Sequence, residues 1–199
     1  MEVTVQGYIV DVVSKGVLIE VQTGNFGSIK QKLLDLLGSN RVRLVHPVPT
    51  NKWIIRVNLN GDQVSRRRSP KRGCVEEVFY EMVYTPELAI VPGFELEVVM
   101  VDMEELWVDD GKGSWRRRRW SIADRRLLSV LERHLFTCKA DYIRLLPDQL
   151  HTGFTANELA EESHLSRALA QKMVYTLRKM GLLKPVGRRH RSTLYRVTS

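Results

Sequence analysis

The chain has 199 residues, 43% of them hydrophobic and 27% charged, enough to bury one medium core or two small ones. Its formal net charge of +8 makes a polyanion, nucleic acid first, the expected partner. The longest apolar run falls far short of the roughly 18 residues that span a bilayer. The first residues, Met1-Glu-Val-Thr-Val5, carry neither a basic n-region nor an apolar h-region. The two cysteines, Cys74 and Cys138, build no disulfide framework and no zinc site, which suits a reducing cytoplasm.

The charge is blocked along the chain. Residues 1–62 are net +2, 63–75 net +5, 76–115 net −10, 116–151 net +5 and 152–199 net +6. An acidic block inside a basic protein argues for placed surfaces rather than a uniformly sticky tail. Four segments follow from this reading: 1–62, a basic loop at 63–75, a helix-hairpin-helix connecting region at 76–150, and a C-terminal domain at 151–199.

Taken in order, Gly7–Val13 is rich in β-branched residues and predicts a strand. Lys15 and Gly16 predict a two-residue turn, and Val17–Gln22 the return strand. In that register paired positions sum to 31, so Asp11 lies opposite Glu20, with Gln22 on the same face. Two carboxylates side by side repel unless a cation or proton sits between them, and magnesium is the usual occupant of such an oxygen site. A helix over about 28–37 follows, with Ile29, Leu33, Leu36 and Leu37 as its apolar face. Then come a strand at Val42–Val45, ended by His46-Pro47-Val48-Pro49, and a second at Lys52–Val57.

An aspartate, then Glu-x-Gln nine residues on, then a helix, resembles the PD-(D/E)XK restriction-endonuclease-like superfamily. The resemblance implies an α/β (α+β) fold with a mixed-sheet core. It implies Asp11 and Glu20 as ligands of Mg2+ or Mn2+, with Gln22 at the position of the family's lysine and Lys30 or Lys32 on the next helix supplying its charge. Members of that family open with a helix before the first core strand. Here the first strand is expected to begin by Glu2, and that helix is missing.

Residues 64–73 are the densest basic run, and Arg66, Arg67, Arg68, Lys71 and Arg72 are candidates to grip a phosphate backbone. A solvated loop is the alternative reading. Glu76–Val83 reads as an amphipathic helix with an acidic start, and Phe94–Asp102 as a strand. A turn at Asp109–Gly113 leads to a returning segment, Trp115–Trp120, whose arginines Arg116–Arg119 are expected to neutralise the acidic strand. Ser121 is placed as the cap of a helix reaching about Phe136, with Leu127, Leu128, Val130, Leu131 and Leu135 apolar.

Thr155 and Glu158 form a capping box. Ser166 caps a second helix to about Met180, and Gly181 stops it. Two short strands follow around the basic turn Gly187–Ser192. Helix, turn, helix and basic hairpin resemble the winged helix-turn-helix family. By that resemblance Arg167, Gln171, Lys172 and Tyr175 would meet DNA in the major groove, and Arg188, Arg189 and Arg191 would touch the backbone.

The five histidines are scattered, and no G-x-x-x-x-G-K-[ST], G-x-G-x-x-G or G-x-S-x-G motif occurs. The layout resembles a bacterial or archaeal family that pairs a nuclease-like part with a winged helix. The expectation is a DNA-binding protein that hydrolyses phosphodiesters with a metal, possible as a homodimer. The alternatives are a non-catalytic DNA-binding regulator on a degenerate nuclease-like scaffold, and a winged helix used for protein contacts.

Overall fold

The structure, a computed structural model, describes residues 2–115, 120–150 and 153–198. The chain divides into two compact units, one made of 1–46, 76–98 and 134–199, the other of 47–75 and 99–133. Among the described residues no helix is long and apolar enough to cross a membrane.

The first unit opens with two tight hairpins. β1 (Val3–Val5) pairs with β2 (Tyr8–Val10), and β3 (Val12–Ser14) with β4 (Val17–Val21). Both turns place two residues at positive φ, Gln6 (52°) with Gly7 (81°) and Lys15 (48°) with Gly16 (75°), the geometry that matches the twist of the flanking strands. Val12 faces Ile19 and Ser14 faces Val17, the register the Lys15-Gly16 turn requires. The expected single strand over Gly7–Val13 is instead interrupted at Asp11, and the Gln6-Gly7 turn reverses the chain just before it.

α1 (Phe26–Leu37) follows β4 and buries Phe26, Leu33, Leu36 and Leu37. It returns the chain to β5 (Arg41–Val57), whose first five residues run parallel to β4. The helix starts two residues earlier than the sequence predicts, because Phe26 is fully buried and Asn25 turns the chain in the left-handed region (φ 58°).

β5 is one 17-residue strand, not two strands ended by prolines. The backbone explains how. The Val45 carbonyl accepts from Gln22 N–H on the β4 side, whereas Val42 N–H points the other way, to the Gly93 carbonyl. Odd-numbered residues here therefore face the β4 edge. β4 has ended by Pro47 and Pro49, so their missing N–H groups cost no ladder bond.

α2 (Phe79–Met82) forms within the acidic stretch after a 3-10 turn at Val75–Val78. β7 (Phe94–Val108) then begins with eight buried residues. Leu96 and Val98 join the core, while the buried carboxylates of Glu95 and Glu97 are met by Arg43 at 2.7 and 3.2 Å, and Glu95 also by Arg41. Burial alone would raise the Glu95 carboxyl, yet the two guanidiniums hold it below its usual range.

The rest of this unit is helical with a terminal hairpin. α3 (Lys139–Ile143) is held at its start by Asp141, whose Oδ2 accepts from the backbone of Thr137 (2.8 Å) and Cys138 (3.1 Å). α4 (Ala156–Glu162) carries the Thr155/Glu158 capping box, and α5 (Arg167–Lys179) is capped by Ser166 Oγ. Gly181 (φ 75°) stops α5, with Leu182 N–H bonded back to the Leu177 carbonyl at 2.9 Å. β9 (Leu183–Arg189) and β10 (Ser192–Val197) form an antiparallel pair, and Phe154 adds a bridge to Tyr195. Leu159, Leu169, Met173, Leu177 and Leu183 fill the space between these elements.

In the second unit, β6 (Gln63–Arg68) pairs antiparallel with the later part of β5. The expected basic loop at 63–75 is thus half strand, its first residues drawn into a ladder by Trp53–Val57. A larger correction concerns Ser121–Phe136. This segment is the strand β8, not a helix, and it lies beside β7 at the end of the sheet order β3-β4-β5-β7-β8. Ser121 Oγ donates to Asp110 Oδ1 at 2.7 Å, and Arg125 reaches Glu105, so β8 runs back along β7. Pairing to a long apolar neighbour overrides a helix-favouring composition. The expected arginine return, Arg116–Arg119, lies outside the described residues, as do residues 151–152 at the expected start of the C-terminal domain.

Candidate nucleic-acid interface

Three groups of residues compete for the role of functional site. The first is the hairpin carboxylate pair. The β3/β4 ladder ends at Val12, and Asp11 spends Oδ2 on the backbone N–H of Val21 at 2.8 Å. Glu20 is 8% exposed and receives Lys32 Nζ at 2.7 Å, while its Oε2 has no hydrogen-bond partner among the described residues. Lys30, two residues earlier on the same helix, pairs instead with Glu87. Gln22 Nε2 donates to the Gly24 carbonyl at 2.6 Å, and its own carbonyl meets His46 Nδ1 at 2.8 Å. The fold therefore brings Glu20 and Lys32 together and commits Gln22 and Lys30 elsewhere. Among the described residues no three His, Cys, Asp or Glu side chains converge.

The second group is the basic run on β6. Arg66 ion-pairs with Glu104 at 3.0 Å and lies over the Trp53 ring, 5.4 Å from its centre. Arg68 also lies over Trp53 and donates to Asn51. Alternation along the strand turns both toward Trp53, which faces Arg68 in the register. Arg67, Lys71 and Arg72 remain exposed. The acidic block of the sequence is answered here too. Glu105 is buried, and burial alone would raise its carboxyl. Lys52 at 3.2 Å, Trp107 Nε1 and Arg125 outweigh that and hold it below its usual range.

The third group is the outer surface of α4, α5 and the β9–β10 hairpin. Arg167, Gln171, Tyr175 and Arg178 are exposed along α5. Gln171, Tyr175 and Arg178 border a shallow groove with Ala156 and Tyr195. Arg178 is a groove residue beyond the four sequence candidates on this helix, and its spacing of seven from Gln171 is the signal for it. Lys172 turns away from this surface. Its amine lies 5.9 and 5.6 Å from the ring centres of Tyr80 and Tyr84, near α2, where Tyr80 also meets Ser166 Oγ at 3.3 Å. At the hairpin, Arg189 pairs with Glu158 of the capping box and draws that carboxyl further below its usual range, after the backbone bond from Thr155. Arg188 and Arg191 are exposed and have no carboxylate partner among the described residues.

These features define a mixed α/β protein with a central mixed sheet and a cationic helix-and-hairpin surface. The chain belongs to the family described as a domain of unknown function, DUF8091, whose model matches residues 1–137. It is similar to a protein of Treponema pallidum (strain Nichols), described as an uncharacterized protein, at 33% identity over 199 residues, covering 98% of this chain and 77% of the relative. No solved structure matches.

Proposed function

We propose that this protein binds duplex DNA through α5 and the β9–β10 hairpin, used as a winged helix, and acts as a non-catalytic DNA-binding regulator. The carrying observation is the pair Arg188 and Arg191, exposed and without carboxylate partners among the described residues, on a hairpin whose Ser192 and Thr193 line a groove with Gln171 of α5. Guanidiniums left free of in-chain carboxylates are available to phosphate oxygens, and an exposed amide and phenol on a helix face suit base edges. The test is fluorescence anisotropy with labelled duplex DNA across a salt series. Arg188→Ala with Arg191→Ala weakens binding, and the log–log salt slope falls by about two units, one for each lost phosphate contact. An unchanged slope refutes the assignment.

A metal-dependent nuclease remains the second reading, favoured by the Lys32 amine at Glu20 and by the bare Glu20 Oε2. The described residues argue against a ready magnesium site here. Glu20 is ion-paired, one Asp11 oxygen is bonded to backbone, and among the described residues no third His, Cys, Asp or Glu converges on them. No hydrolytic step is assigned to them. Cleavage of labelled linear and branched DNA with Mg2+ or Mn2+, lost in Glu20→Ala, would reinstate this reading.

A further inference from the structure

We propose that the groove between α4, α5 and β10 is a pocket for one unstacked nucleobase, and that the preferred ligand is duplex DNA carrying an unpaired base. The inference rests on the DNA reading above and narrows its substrate. All three elements belong to the first unit. The groove has two lobes that share Gln171 and Tyr195. One, of about 210 Å³, is completed by Val174, Tyr175 and Arg178. The other, of about 270 Å³, is completed by Asn157, Ser192 and Thr193. Val174 is buried and forms the floor of the first lobe.

The lining is a set of open hydrogen-bonding groups. Among the described residues the side chains of Asn157, Gln171, Ser192 and Thr193 and the Tyr195 hydroxyl have no partner. No acidic residue lines either lobe, and Glu158, next to Asn157 in sequence, is already held by Arg189 and the Thr155 backbone. Arg178, the charged lining residue, has no carboxylate partner among the described residues. The two carboxamides each carry a donor and an acceptor and match a base edge, as glutamine and asparagine match adenine. Tyr195, common to both lobes, supplies a ring for stacking, which accepts any base. Tyr175 is less open for this, since the Lys179 amine lies 5.8 Å from its ring centre. Arg178 is left to the adjoining phosphate. In a paired and stacked duplex the base faces are covered, so such a duplex lies across the rim and leaves the floor bare. An unpaired base leaves the stack at little cost, turns its face to Tyr195 and presents its free edge to the carboxamides.

The experiment is fluorescence anisotropy of the full chain with two labelled duplexes matched in phosphate count, one blunt and fully paired, the other with a single unpaired adenine. The duplex with the unpaired base binds about tenfold tighter, the gain from stacking one base. Tyr195→Leu and Asn157→Ala each lower that ratio. Tyr195→Phe keeps most of it, because the ring stacks without its hydroxyl. Helix ellipticity melts confirm that each variant folds. Equal affinity of the parent for the two duplexes overturns the proposal and leaves the duplex reading standing. A preference untouched by both Tyr195→Leu and Asn157→Ala also overturns it, since the groove would then not be its source. A chain that binds neither duplex refutes this inference and the DNA reading together.

Discussion

Replacing Lys32 by Met should unfold the protein at a measurably lower temperature, by an amount that follows from the surroundings of Glu20. The carboxylate is 8% exposed, Oε1 receives Lys32 Nζ at 2.7 Å, and Oε2 has no donor among the described residues. Removing one partner of a fully buried ion pair costs about 3–5 kcal/mol. Lys32 is 19% exposed, so water can partly replace its amine, which lowers the expectation to about 2–3 kcal/mol. For a chain of this size each kcal/mol moves the melting midpoint by about 2–4 °C, so a drop of about 4–12 °C is expected. Helix ellipticity is the right probe, because α1 to α5 all lie in the unit that contains Glu20. The four tryptophans lie in the other unit, so their emission provides a separate readout. Pairing Lys32→Met with Glu20→Met removes both charges and should recover most of the loss, since an apolar pair of similar volume carries no desolvation penalty. A Lys32→Met midpoint within about 1 °C of the parent, or a double variant no better than the single, would refute the argument.

Gly73→Ala should destabilise the second unit by about 1–3 kcal/mol, because a β-carbon there would lie 2.5 Å from the Pro49 carbonyl oxygen and 2.9 Å from Val48 Cγ1; urea titration followed by tryptophan emission checks it. Burial pushes the His46 imidazole below its usual 6.5, against opposing pulls from the Gln22 carbonyl, Glu81 and Glu77. The native state therefore resists a proton that the unfolded chain accepts, and stability should fall as pH drops below about 6.5. The urea midpoint followed by helix ellipticity at two pH values bracketing that point, for the parent and His46→Gln, tests this; an equal fall in both would refute it. Ser166→Ala should cost about 0.5–2 kcal/mol through the lost bond to Leu169 N–H, visible as an earlier loss of helix ellipticity.

Much of the fold is legible where a residue type has only one backbone use. Lys15-Gly16 needs two positive φ values, and that single fact places β3 against β4 in the right register. Thr155, Glu158, Ser166 and Gly181 mark helix ends by side-chain chemistry or left-handed geometry, and α4 begins, and α5 begins and ends, where they say. β8 was illegible for the opposite reason. Its leucines and arginines favour a helix, and what makes it a strand is β7, a partner distant in sequence. Residue commitments within the candidate sites were equally hidden. Lys30 and Lys32 look alike in sequence, yet helix geometry sends one to Glu87 and the other to Glu20. Lys172 and Gln171 are neighbours, and a single helical step of about 100° separates the tyrosines near α2 from the outer groove. Arg189 and Arg191 share a basic turn, but only Arg189 lies within reach of Glu158.

Pro47 and Pro49 give β5 a property that its length conceals. The ladder to β4 ends at Val45, and the ladder to β6 starts at Trp53. Between them two successive positions facing the same edge have no hydrogen to donate. Strand pairing normally spreads like a zipper, each bond setting the offset of the next. Here the zipper has two missing teeth. An offset error in one ladder has no route along that edge into the other, so one continuous strand carries two independent alignments. An insertion among residues 58–62 would be absorbed by the β5–β6 hairpin, with the alignment of β4 against Arg41–Val45 unchanged.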